Sequence, residues 1–243
     1  MHQRYQLACH LACDIMIFTH YTFNEPIILD DCLIQQLVFE NPADMGRMIG
    51  ELYSQSQGMD GSFAVIDNDI EIPMNKIFIC IDPYSLNPNS KDIITGVIEQ
   101  LFVELNSERF MEEKDLAITT LQQVIVQATI RMDLGLYVDG LNIKSLIKNM
   151  NPHFICDGDL PSNILDVVRL SSQYATYRLF VLINFSSFLS DYDYSMLIQN
   201  LTYLQIPTIM IESRIMAGFT KTRIFDSDYC ELSISSNRKT FDV

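Results

Sequence analysis

The sequence predicts an α/β fold: a largely parallel sheet interrupted by a block of helices. Three observations predict it. LFVLIN, from Leu179, and PTIMIES, from Pro207, are continuous apolar runs of strand length, and SDYDYSMLIQNLTYL between them is a helix with a start signal. Strands apolar on both faces and joined by one helix form a parallel β-α-β crossover. The third observation is a stretch of helical periodicity, about residues 91–178, lying between two strand-bearing halves. A helical insert whose two ends return to one sheet accounts for it.

Each element has its own signal. Residues 15–23 alternate and read as a strand, Asn24-Glu25-Pro26 breaks it, and Ile27 to Leu29 resumes as its antiparallel partner. Leu33 to Phe39 is a further strand. Asn41-Pro42 starts a helix with a capping Asn, a proline suited to the first turn and a stripe of Met45, Ile49 and Leu52. Phe63–Ile66 and Ile70–Ile72 flank Asp67-Asn68-Asp69, a hairpin signal. KIFICID, Lys76 to Asp82, reads as a buried central strand. The insert holds a wide stripe (Ile93, Val97, Leu101, Leu105), a second at Leu121, Val124, Ile125 and Ala128, and a short helix from Ile143 to Met150 capped by Asn142. Its last helix opens at Pro161, with Ile164, Val167, Val168 and Ser171 inward. Strands near Thr222–Phe225 and Cys230–Ile234 close the fold.

Composition narrows the function. The chain has 243 residues, 48% of them hydrophobic and 19% charged, and needs no disulfide staples at this length. Its 31 acidic and 16 basic side chains give −15, which opposes nonspecific binding of nucleic acid over the whole surface but not through a segregated basic patch. No apolar run reaches the ~18–20 residues of a membrane span. No signal-peptide pattern precedes the six scattered cysteines, which we read as reduced thiols of a cytoplasmic protein without a membrane partner.

Most chemical motifs fail on inspection. No glycine-rich cradle is present: Gly46 and Gly50 fall inside a helix, and Gly218-Phe219-Thr220-Lys221-Thr222 lacks the first glycine and the spacing. Asn184 stands where a magnesium-holding Asp would follow LFVLIN. Asp82 ends KIFICID without a matching phosphate loop. These features describe a P-loop-like sheet without its active site, and no nucleotide cofactor is expected. Asp67-Asn68-Asp69-Ile70-Glu71 begins like a calcium loop, but Ile72 and Phe78 occupy the Gly and Glu positions. Cys9, His10 and Cys13 cluster without a fourth ligand, so a small-residue packing element is the plainer reading. Lys144 and Lys148 are four apart and project together from a helix, either a solvated face or a DNA contact. Arg169 and Arg178 are out of phase, Arg131 ends the long helix, and Ser190 with Asp193 is a capping pair.

NEPIIL, KIFICIDPYSLNPNS, LNIKSLIKN and LFVLIN…FLS…IPTIMIES…DSDYCEL, in that order, resemble the small adaptation protein of type II-A CRISPR systems. The resemblance runs from about Phe23 to Leu232 and implies a degenerate P-loop-NTPase-like α/β head, residues 1–90 and 179–243, with an α-helical leg, residues 91–178. It implies a non-enzymatic homotetrameric ring around double-stranded DNA, bound at ends, acting in spacer acquisition for antiviral defense. The implied partners are the CRISPR integrase complex and the type II effector nuclease. Lys144 and Lys148 fall in the family's acidic-then-basic helix and are expected to bind DNA, with Arg131, Arg169 and Arg178 as further candidates. Calcium near the hinge is implied, with Asp133 and Asp139 as ligands, although Gly135 and Gly140 interrupt a thin acidic cluster. Two other readings stay open: an NTPase with an unconventional site using Asp82, and a protein-docking scaffold using the acidic surface.

Overall fold

The computed structural model describes residues 15–30, 33–132, 139–155, 158–228 and 230–235. The chain divides into two compact units. The first comprises Met1–Leu86, Asp159–Arg169 and Tyr177–Val243, and the second Asn87–Gly158 and Leu170–Thr176. The expected insert of residues 91–178 therefore differs from the observed helical unit at Asp159–Arg169, which packs with the sheet. The reason is visible in burial: Ile164 and Val168 are fully buried among sheet side chains.

The first unit carries two sheets. β1 (Met16–Thr19), β2 (Ile27–Leu29), β4 (Ala64–Asp67) and β5 (Ile70–Ile72) form an antiparallel sheet in the order β2-β1-β4-β5. The β4–β5 hairpin turns on Asn68 and Asp69, at φ 49° and 65°. A two-residue turn needs positive φ at both central positions, which Asn and Asp tolerate. The expected charged hairpin tip is thus present.

The second sheet runs β10-β9-β3-β8-β7-β6, built from β3 (Ile34–Phe39), β6 (Ile77–Cys80), β7 (Leu179–Ile183), β8 (Thr208–Glu212), β9 (Lys221–Phe225) and β10 (Glu231–Ser235). All of its pairings are parallel except β9 with β10. The fold class is α/β, with the expected parallel β7-α-β8 crossover. KIFICID is not central, however. β6 pairs only with β7 and forms an edge, with Phe78 and Ile79 half-buried. A short apolar run reports burial, and covering helices can bury an edge strand nearly as well as a central one.

Two cores form on the two faces, sorted by strand alternation. Leu179, Val181 and Ile183 of β7 join a core with the antiparallel sheet and with α1 (Pro42–Ser56), through Met45, Met48 and Leu52. Phe180 and Leu182 join the other, with the start of α5 (Leu160–Tyr174) and with α6 (Asp191–Tyr203), through Tyr194, Leu197 and Leu201. Each such large side chain buried contributes about 1.5–3 kcal/mol. The capping signals hold: Asn41 accepts from the Ala43 N–H at 3.0 Å, and Ser190 from the Asp193 N–H at 3.1 Å.

The second unit contains α2 (Lys91–Leu105), α3 (Met111–Arg131) and α4 (Ile143–Asn149). Within α2 only Ile93 is buried, within α4 only Ile147, and α3 has no buried residue. The wide apolar stripes predicted here are real, yet one chain does not cover them. Gly96 of α2 meets the backbone at the end of α5, where an added Cβ would lie 1.9 Å from the Tyr174 carbonyl oxygen. Gly96→Ala is expected to destabilise this unit by about 1–3 kcal/mol, read as a lower urea midpoint for helical circular dichroism.

Candidate functional site

Two places in the molecule bear on function: the carboxyl edge of the parallel sheet, and the cations of the helical unit.

Open α/β sheets bind ligands outside the carboxyl ends of their strands. A phosphate loop would lie between a central strand and the helix that follows it. β3 is central, and only Glu40 and Asn41 separate it from α1. Pro42 at the first helical position has no N–H. The Ala43 N–H is taken by the Asn41 side chain, and the Asp44 and Met45 N–H groups bond the Asn41 carbonyl. The Glu40 N–H bonds the Phe225 carbonyl at 3.0 Å. The Glu40, Ala43, Asp44 and Met45 donors of this corner already have partners inside the chain, so it offers no array of free N–H groups to a phosphate.

The neighbouring corner is filled as well. Asn184, after β7, sits in the left-handed region at φ 58°, where its side-chain oxygen accepts from the Ser187 hydroxyl and its N–H bonds the Ile211 carbonyl at 2.7 Å. Asp82 caps a 3-10 turn, accepting from the Tyr84 N–H at 2.9 Å. Glu212, at the end of β8, is fully buried. It accepts from the Ser186 N–H at 3.1 Å, the Ser186 hydroxyl at 2.6 Å and the Tyr194 hydroxyl at 3.1 Å. Burial pushes the Glu212 carboxyl above its ordinary value, although the Ser186 and Tyr194 hydrogen bonds oppose this. Burial, then the Glu212 charge, pushes the Tyr194 hydroxyl strongly up. Sequence reasoning missed Glu212; its one signal was a carboxylate ending the apolar run TIMIE.

The expected DNA contacts fall into two groups. Arg178 donates Nε at 3.1 Å, and a terminal nitrogen, to Asp67, whose side chain is 7% exposed. That pair holds β7 to the β4 end inside the first unit. Arg169 pairs with Asp166 one turn earlier on α5, at 2.9 Å. In the helical unit Lys144 bonds Glu99 of α2, whereas Lys148 and Arg131 are exposed and form no ion pair among the described residues. Two exposed cations of this unit escaped the sequence reading: Lys91 at the start of α2, and Arg109, whose guanidinium lies 5.0 Å from the Phe110 ring centre. They were missed because neither belongs to a periodic basic pattern.

The described residues hold only one of the two expected calcium ligands. Asp139 is exposed, Asp133 lies outside the described residues, and no group of three or more His, Cys, Asp or Glu is gathered for a metal. A calcium ion takes six to eight oxygens. The cluster of Cys9, His10 and Cys13 also lies outside the described residues. Burial pushes the Cys80 thiol up to about 12, leaving it inert at neutral pH. No described helix is long and apolar enough to cross a membrane.

These features define a class: an α/β protein with a P-loop-like parallel sheet, no glycine-rich phosphate loop among the described residues and a second, helical unit. Residues 55–229 match the model of the CRISPR-associated protein (Cas_Csn2) family, and the chain belongs to that family. The crystal structure of Stu0660 of Streptococcus thermophilus is similar, with TM-score 0.54 and 15% identity over 87% of this chain and 74% of that one. cbiO1 of Clostridium perfringens, part of the ABC transporter complex cbiONQ, gives TM-score 0.42 and 11% identity over 87% and 84%. No curated protein matches the chain in sequence.

Two outcomes are expected. The Glu212 pKa is raised above its unfolded value of 4.5. Its contribution to stability is therefore fully present below pH 4.5 and lost as pH rises through the folded pKa. Glu212→Gln should remove that loss, so urea midpoints from pH 4.5 upward should fall less for the variant than for the parent. Arg178→Ala leaves Asp67 buried beside no cation and should cost about 2 kcal/mol, between the values for exposed and buried pairs. Denaturant titration measures it.

Proposed function

We propose that this chain is a non-enzymatic adaptation factor that binds double-stranded DNA, at ends, during CRISPR spacer acquisition. It does so as a homotetrameric ring. Membership of the CRISPR-associated family supports the CRISPR role. The carrying observation for the absence of an enzymatic step is the β3–α1 corner, where the Glu40, Ala43, Asp44 and Met45 N–H groups are bonded within the chain. Nothing there can hold a triphosphate against the sheet.

Assembly is supported by the helical unit. α3 has no buried residue, and Leu116, Val124 and Ile130 are exposed on it by 69%, 57% and 71%. A 21-residue helix with so little covered surface is marginal alone in water and gains stability by packing against other copies. The same unit supplies Lys148, Arg131, Lys91 and Arg109 for phosphate contact. Lys144, tied to Glu99, is a weaker contact than the sequence suggests, and Arg169 and Arg178 serve the fold.

The charge of −15 per copy repels DNA from most of the surface. Binding is therefore confined to the face where these cations lie, and is sequence-independent because it engages the backbone. The integrase complex and the type II effector nuclease are the protein partners in this reading, and calcium bridging by Asp133 and Asp139 would stabilise the assembly without taking part in chemistry.

A gel-shift titration on linear and closed-circular duplexes tests the proposal. Linear DNA should bind and circular DNA should not, with log K falling in log salt at about −0.9 per neutralised phosphate. Lys148→Glu should weaken binding at least ten-fold and flatten the salt slope by about one contact per subunit. Arg178→Ala should leave DNA affinity unchanged at a temperature where it stays folded. Equal binding of circular and linear DNA overturns the ring; no binding at low salt overturns the DNA reading.

A further inference from the structure

The first unit contains a cavity that the DNA reading does not use. It is a small cleft at the carboxyl ends of β3 and β9, beside the first turns of α1, and it opens to solvent. It has room for the end of one side chain, and this edge of an α/β sheet is where ligand sites occur.

Its walls are of three kinds. Phe39 and Phe225, stacked at 4.7 Å between ring centres, form with Met48 an apolar floor. Tyr21, 76% exposed, brings an aromatic ring to the wall beside the His20 ring, at 4.4 Å between ring centres. Apart from His20, its ionisable acids and bases are three carboxylates, Asp44, Glu51 and Asp226, and one arginine, Arg47, already bonded to Asp44.

Glu51 is held in place from behind. His20 is 4% exposed and lines the same cavity. The Thr22 N–H donates to its Nδ1 at 3.3 Å, and the Thr22 hydroxyl lies 2.7 Å from the same nitrogen. Nε2 sits 3.2 Å from Glu51 Oε2, yet without the alignment of a hydrogen bond it remains unsatisfied. The other Glu51 oxygen accepts from the Ser62 N–H at 2.8 Å. Burial alone would raise the Glu51 carboxyl, but the Ser62 and His20 contacts outweigh it and lower the pKa, keeping an acceptor at the wall.

Charge opposes an anionic ligand: Arg47 and Asp44 neutralise each other, and Glu51 and Asp226 remain. A ligand here must bring hydrogen-bond donors, a positive charge, a flat group for the tyrosine and an apolar stem for the floor. Arginine is the side chain with all four, since its planar fork carries five donors, stacks on aromatic faces and trails three methylenes. We propose that this cavity is a docking pocket for an arginine side chain of a partner protein. The guanidinium stacks on Tyr21 and donates to Glu51, its stem lies on Phe39, Met48 and Phe225, and Asp226 completes the negative wall. The partner is a protein with a basic surface, as DNA-processing enzymes have; that identity rests on the function proposed above, while the pocket's chemistry does not.

Nuclear magnetic resonance titration of the full chain tests it, with N-acetyl-arginine amide, N-acetyl-lysine amide and adenosine monophosphate as probes at low salt. The arginine probe should shift resonances of Tyr21, Met48 and Glu51 with a dissociation constant of about 1–10 mM, as expected for so small a ligand. The lysine probe should bind at least five-fold more weakly. Tyr21→Ala, at an exposed position, and the isosteric Glu51→Gln should each weaken arginine binding about five-fold. Lys148→Glu, which separates this pocket from DNA binding, should leave the arginine shifts unchanged while losing the gel shift. No shift at 20 mM arginine probe, about twice the weakest constant expected, equal response to lysine, or preference for the nucleotide would each overturn the proposal.

Discussion

The burial of β3 on both faces is the constraint on which the first unit depends. All six of its residues are buried, and its edges pair in parallel with β8 and β9. A strand so placed has no water to satisfy a polar side chain, yet Gln36 lies there fully buried. Its amide donates to the Arg214 carbonyl at 3.3 Å and accepts from the Met216 N–H at 3.2 Å. Those bonds make the segment after β8 return across the carboxyl end of the sheet before β9 begins. A buried amide satisfied this way selects one arrangement, because every alternative register leaves it unpaired.

At the same carboxyl edge the polar groups of the loops are largely paired within the chain. Ligand sites at strand ends require unspent donors and open space. Here Asn41, Asn184 and Asp82 turn into caps, and Glu212 gathers three donors from Ser186 and Tyr194. The groups that could greet a nucleotide are used to close the loops, and the interaction energy goes into rigidity. What open space remains at this edge lies beyond β9 and is acidic, a setting suited to a cation and hostile to phosphate.

The helical unit is organised differently. Ile93 and Ile147 are its buried anchors from α2 and α4, and much of its apolar surface faces outward. Its cations are distributed over several elements, so no short basic motif announces them. Lys144 and Lys148 look equivalent on a helical wheel, but one is neutralised by Glu99 on a neighbouring helix. Only packing distinguishes them.

The sequence by itself determined most of the elements, the class of fold and the lack of a glycine-rich phosphate-loop motif. Strand runs, helix caps and the Asp67-Asn68-Asp69 turn are local, governed by dihedral preferences and by periodicity within a few residues. The resemblance carried by the closing third of the chain likewise lay in the order of residues. Tertiary structure alone decided that β6 is an edge, that Asp159–Arg169 packs with the sheet, and that Arg178 serves Asp67 more than a hundred residues away. It also decided that Glu212 is buried and that His20, Glu51, Tyr21 and Phe225 meet around one cavity. Such outcomes depend on which distant surfaces are brought together, and the free energy of burial and ion pairing belongs to the pair of surfaces, not to either segment.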